Sequence, residues 1–214
     1  MGMEKLQRHM MDIVRTHQVG DASHDISHFN RVWHNAQVIA ENYPQADRTV
    51  LLAAAYLHDI DFTPKDSPLC SQSSRIAAKM AAEILGELEG FPKSKISAVA
   101  HAIEAHSFSA GIPAETLEAK ILQDADRLDA VGAMGVARNL MLWGRMGCML
   151  YSEDDPLAKH RTPDETRFAI DHWPRKLFRV AKMMNTPEGR EMADSRTAFL
   201  HTFRDQLMRE IGEG

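Results

Sequence analysis

Apolar residues recur along this chain at the three- and four-residue spacing of helices, and no stretch shows the alternation of a half-buried strand. That regularity predicts an all-α protein with more than half of its residues in helix. At 214 residues and 44% hydrophobic content, the chain is long enough to bury a real core. One domain of helical layers is expected across residues 1–214, with a core at about 20–135 and C-terminal helices at about 160–212 packed on it.

The periodicity places a first helix over about Met3 to His17, with Leu6, Met10, Ile13 and Val14 on one face. A second covers roughly Asp25 to Tyr43 and stops before Pro44. A third starts at Asp47, a good N-cap, and ends at His58 after the apolar run Val50 to Leu57. Pro64 and Pro68 mark a loop, followed by helices over about Ser73 to Leu88, up to His106, and Glu115 to Asp129. Met141 to Pro156, with glycines at 144 and 147, is expected to be an irregular flap. Thr162-Pro163-Asp164-Glu165 and Thr186-Pro187-Glu188 each carry the marks of a helix start.

Charge excludes one large class of partners. The formal net charge is −5 and there is no strongly basic stripe, so polymeric nucleic acid is not an expected ligand. A small phosphate-bearing ligand remains compatible, because a local cation offsets local negative charge. Cys70 and Cys148 lack metal-type spacing, and the longest apolar run is too short to cross a bilayer. The N-terminal segment has no apolar signal core. A cytoplasmic protein without membrane association is therefore expected.

Histidines and acids concentrate in four places: Ser23 to His28, His58 to Asp61, His101 to His106, and Asp124 to Asp129. His58-Asp59 closes a helix that should be buried on most sides. A carboxylate at the edge of a core is costly unless it is paired or bound to a cation, and a divalent metal satisfies both side chains. A helix-end histidine beside a solvated aspartate is the plain alternative. His24 and His28 share a helical face, with Asp25 and Arg31 on the same stripe. Asp126 and Asp129 lie three apart, as do Asp124 and Arg127, amid Ile121, Leu122, Leu128 and Val131. Carboxylates within an apolar pattern suggest a cation, and an intrahelical Asp–Arg network is the alternative.

Taken in order, His28, His58-Asp59 and Asp126 resemble the signature of the HD-domain phosphohydrolase superfamily. Ser23 to Val32, Leu57 to Ile60, His106-Ser107 and Leu122 to Arg138 are similar to motifs of bacterial HD proteins of nucleotide pyrophosphohydrolase type. The resemblance extends from about residue 20 to the C-terminus. It implies an all-helical HD bundle, with His28, His58, Asp59 and Asp126 as metal ligands and phosphoester or phosphoanhydride hydrolysis as the chemistry. One divalent ion is implied, drawn from Mn, Co, Ni, Fe, Zn and Mg with Mn favoured, and a second can be accommodated. Two imidazoles and two carboxylates suit such ions better than a soft thiolate metal. No serine-nucleophile or P-loop pattern is present.

Asp61, His24 and Asp25 are candidates for handling the proton of an attacking water. Arg31, Lys79, Arg127 and His106 are candidates to bind a nucleotide-like phosphate substrate. The chain is expected to act as a monomer or homodimer. Two other readings stand beside the hydrolase: a non-catalytic metal-binding regulatory module, and a two-iron oxygenase drawing on His24, His101, His106 or Asp61 for further ligands.

Overall fold

The computed structural model describes residues 1–17, 26–61, 72–107 and 110–213. Helix accounts for 70% of it, which meets the all-α expectation. Among the described residues no strand forms, and an isolated bridge joins Met149 to Phe168. No described helix is long and apolar enough to cross a membrane. The chain divides into two compact units, Met1–Asp126 and Arg127–Gly214.

The first unit is organised around α3, Arg48–Leu57. Every residue from Val50 to Leu57 is buried, because α3 packs against α1 (Met3–His17), α2 (Ile26–Ala40), α4 (Ser73–Glu87) and α5 (Ile96–His106). A helix apolar on all sides is the one that can occupy such a centre. Asp47 starts it as expected, its carboxylate accepting from the Thr49 and Val50 amides at 2.9 and 3.2 Å. In α1, Leu6, Met10 and Val14 are buried, each four residues from the next.

Helix α2 ends at Ala40 rather than near Tyr43. Pro44 disfavours helical geometry at Tyr43, whose amide turns back to the Ala40 carbonyl at 3.0 Å. The Arg48 guanidinium also donates to that carbonyl, closing the end of α2 from the start of α3. The expected loop over Asp61 to Ser71 falls mostly on residues 62–71, outside the described residues.

α6, Leu117–Leu128, carries Asp126 in its last turn. The second unit holds α7 (Gly132–Arg145), α8 (His172–Arg175) and α9 (Pro187–Glu210), with α7 packed on α9. α9 begins where its sequence says, with the Thr186 hydroxyl accepting from the Gly189 amide at 3.0 Å. The similar signal at Thr162-Pro163 starts no helix. The Asp164 side chain instead accepts from the Thr166 amide and hydroxyl at 3.0 and 2.6 Å, and its amide donates to Asp171 at 2.6 Å. These local bonds close one turn, and the chain then leaves to meet Met149. The expected flap is shorter than its sequence suggests, since Met141 to Arg145 belong to α7 and only the segment after it is irregular.

Candidate metal centre

Four side chains of the first unit converge. The Nε2 atoms of His28 and His58 lie 3.2 Å apart, and both imidazoles are buried. Asp126 Oδ1 lies 3.6 Å from His28 Nε2 and 3.8 Å from His58 Nε2. Asp59 Oδ2 lies 3.7 Å from His58 Nε2. The carboxylates are 26% and 28% exposed and the imidazoles at most 1%, so solvent reaches the cluster from its acidic side. Phe29 stands edge-on to both imidazoles at 5.5 and 5.4 Å.

Helix ends explain this assembly. His58 follows the last residue of α3, His106 is the last residue of α5, and Asp126 lies in the last turn of α6. The last four carbonyls of a helix have no intrahelical N–H. His58 Nδ1 donates to one of them, Ala55 O, at 2.9 Å, and His106 Nδ1 to another, Ile103 O, at 2.6 Å. A carbonyl only accepts, so Nδ1 carries the proton in both rings. For His58 that leaves Nε2 with a lone pair aimed at His28. The negative ends of three helices meet at this point, which favours a cation.

The donor set fits a divalent metal. Two nitrogens 3.2 Å apart subtend about 100° at an ion about 2.1 Å from each. The carboxylate spacings of 3.6 to 3.8 Å are a little wider than the edge, about 3.4 Å, of a tetrahedron around such an ion. His28, His58 and Asp59 each offer a ligand atom within 4.8 Å of the others. Without a cation, the buried Nε2 lone pair of His58 faces a second imidazole and two carboxylates at hydrogen-bond range or just beyond.

His106 joins the cluster from the side. Its Nε2 lies 3.3 Å from Asp59 Oδ1, and its ring meets that of His58 edge-on at 4.9 Å. Burial pulls the His106 pKa down, but the bond to Asp59, with the charges of Asp59 and Asp126, raises it to about 9. Burial dominates at His58 and lowers its pKa to about 4, against the attraction of Asp59 and Asp126. Burial pushes Asp126 upward, yet His58, His28 and His106 hold it below the usual carboxylate value.

A pH dependence follows for the metal-free protein. His58 binds its proton less readily folded than unfolded, so its contribution is complete above about 6.5 and lost as pH falls to about 4. Chemical denaturation of the chelator-treated protein should show stability falling over that window, by up to about 3 kcal/mol. A flat profile between pH 6.5 and 4 contradicts a buried neutral His58.

Other expected site residues are placed unevenly. His24 and Asp25 lie outside the described residues. Asp61 accepts from the Ser73 hydroxyl at 3.1 Å, at the start of α4. Arg31 is half-buried on α2, one turn beyond His28. Lys79 is not brought to the cluster: its side chain is 80% exposed and lies 4.0 Å from Glu83 on the solvated face of α4. Arg127 donates to the Met183 carbonyl. His101 accepts from the Glu115 amide at 3.2 Å and anchors the approach to α6. Asp129 is buried and bonded to Arg138 at 2.5 Å, so the acid three residues from Asp126 has a structural partner. Two buried amides, Asn35 and Gln123, carried no functional signal in sequence, where each reads as an ordinary polar residue.

A family model described as HD domain matches residues 25–131. An uncharacterized protein of Bacillus subtilis, YpgQ, is 35% identical over 197 residues, covering 89% of this chain and 85% of its own length. Its crystal structure in complex with ADP superposes with a TM-score of 0.72 at 30% identity, over 97% of this chain and 96% of that one. An HD-superfamily hydrolase from Bacillus thuringiensis gives 0.70 at 29% identity, over 97% and 95%. A protein from Lactobacillus plantarum gives 0.74 at 29% identity, over 98% of both chains.

Proposed function

This chain belongs to the HD-domain phosphohydrolase superfamily, and from that membership we propose that it hydrolyses a phosphoanhydride or phosphoester of a nucleotide in a metal-dependent reaction. The observation that carries the proposal is the pair of buried Nε2 atoms, 3.2 Å apart, with the Asp59 and Asp126 carboxylates beside them. His28, His58, Asp59 and Asp126 would hold the ion. Mn is the first ion to test, since a mixed N/O donor set accepts it readily.

When bound, a divalent cation supplies an acidified water and positive charge toward a phosphoryl group. The chain supplies the rest. Asp61, two residues past Asp59, is proposed to accept the water's proton, and the Ser73 hydroxyl fixes its carboxylate. His24 and Asp25 are the other acids and bases assigned to this step. Arg31 and Arg127 follow His28 and Asp126 in sequence and are proposed to pair with substrate phosphate. His106, anchored through Nδ1, is proposed to orient Asp59. Lys79 has no part in this scheme. The ADP bound to the related YpgQ supports a nucleotide as the substrate class.

The test is a panel of nucleoside mono-, di- and triphosphates offered to protein stripped by chelator and reloaded with Mn or Co. Release of phosphate or pyrophosphate from a member of the panel, only after reloading, is expected. Metal retention with no turnover on any member favours a non-catalytic module instead. Two metal atoms per chain by elemental analysis, without hydrolysis, favours the oxygenase reading.

A further inference from the structure

The buried amides of Asn35 and Gln123 have related placements. Asn35 on α2 is 2% exposed, and its Nδ2 donates to the Ala125 carbonyl on α6 at 3.0 Å. Gln123 on α6 is 7% exposed, and its Nε2 donates to the Ala105 carbonyl on α5 at 2.9 Å. Ala125 and Ala105 directly precede Asp126 and His106. Both carbonyls lie in the last turn of their helices. Each amide therefore grips the peptide unit that leads into a residue of the cluster.

The helical register makes this a relay. Asn35 follows His28 by seven residues, two turns along the same face of α2. Gln123 precedes Asp126 by three, on the same face of α6. One bond thus ties the His28 helix to the Asp126 helix, and the next ties the Asp126 helix to the His106 helix. His106 then meets Asp59, and His58 meets His28, which closes the circuit. Apolar side chains of the same size would fill these interior sites without the desolvation cost of an amide. An amide adds direction, and metal ligands must be placed to within about 0.2 Å.

We infer that Asn35 and Gln123 are positioning residues of the metal centre, setting where Asp126 and His106 stand through the carbonyls that precede them. The inference rests on the metal-centre reading above. It is tested with Asn35→Leu and Gln123→Met, which keep approximate volume and remove the donor. Three quantities are measured on each: melting temperature after chelation, Mn affinity by calorimetry, and the visible absorption of the Co-loaded protein, which reports ligand geometry.

The expected result is a Mn affinity about 10- to 100-fold weaker and an altered Co spectrum, beyond what any change in melting temperature accounts for. Asn139→Leu is the control, since its buried amide oxygen serves Trp173 Nε1 at 2.8 Å and should matter for stability alone. A lower melting temperature with unchanged Mn affinity and Co spectrum overturns the inference and leaves a purely structural bond. If Asn35→Leu does not fold, Gln123→Met decides by the same three measurements. Failure of the unsubstituted protein to bind Mn or Co overturns the metal-centre reading itself, an outcome distinct from variants that bind as tightly as it does.

Discussion

Asp59→Ala should lower nucleotide hydrolysis by the Mn-loaded protein by at least about 10³-fold. Loss of an outer partner of a metal ligand typically costs about 10- to 100-fold, and loss of a ligand exceeds that. Asp59 also stands beside two imidazoles, with Oδ2 3.7 Å from His58 Nε2 and Oδ1 3.3 Å from His106 Nε2. Alanine therefore removes a proposed ligand and the main cause of the raised His106 pKa together. The fold should survive, because Asp59 lies beyond the buried run of α3 and its side chain is partly exposed. Asp59→Asn separates the two roles: it keeps the shape and loses the charge, and it should also fail to restore turnover. Steady-state kinetics and metal content measured together decide the matter. Full turnover with a normal metal content in Asp59→Ala removes Asp59 from the ligand set.

The parts of this fold legible in sequence are those set by local chemistry. The run Val50 to Leu57 is expected to form a helix buried on most sides, and it does. Asp47 and Thr186 begin helices because their side chains reach amides two or three residues away. Thr162 carries the same local pattern and fails, because Asp171, seven residues beyond Asp164, takes the Asp164 amide and is itself gripped by Arg161 at 2.5 and 2.9 Å. The acids of α6 show the same limit. Asp126 and Asp129 share a helical face, and spacing does not say which one faces a cation. Arg138, nine residues on, answers for Asp129, and the imidazoles of His28 and His58 answer for Asp126. Those pairings span up to 98 residues, so they enter a sequence reading only through family resemblance, as the order of His28, His58-Asp59 and Asp126 did. Asn35 and Gln123 are not legible in sequence, because a buried amide leaves no periodic trace. Lys79 suggests a phosphate partner by its chemistry alone, and its exposure on α4 is not legible in sequence.

Mn loading should stabilise the protein by about 3–4 kcal/mol when free Mn is about 100 to 1,000 times its dissociation constant. The gain arises because the unfolded chain scatters His28, His58, Asp59 and Asp126 over 99 residues and offers no comparable site. Denaturant curves with and without Mn measure it directly. Binding should also release protons at pH 7. With no metal present, His106 is charged there because Asp59 sits against it, and its pKa is raised to about 9. A cation drawing on Asp59 weakens that support, so the His106 pKa falls and part of its proton leaves. Calorimetry in buffers of different ionisation enthalpy counts those protons. The count should shrink above about pH 9, where His106 is already neutral, and apparent affinity should weaken as pH falls below 7. Binding with the same heat in every buffer at pH 7 contradicts the linkage between His106 and Asp59. Absence of any stabilisation by Mn, Co or Zn contradicts the centre, because a cation held only by the folded chain must oppose unfolding.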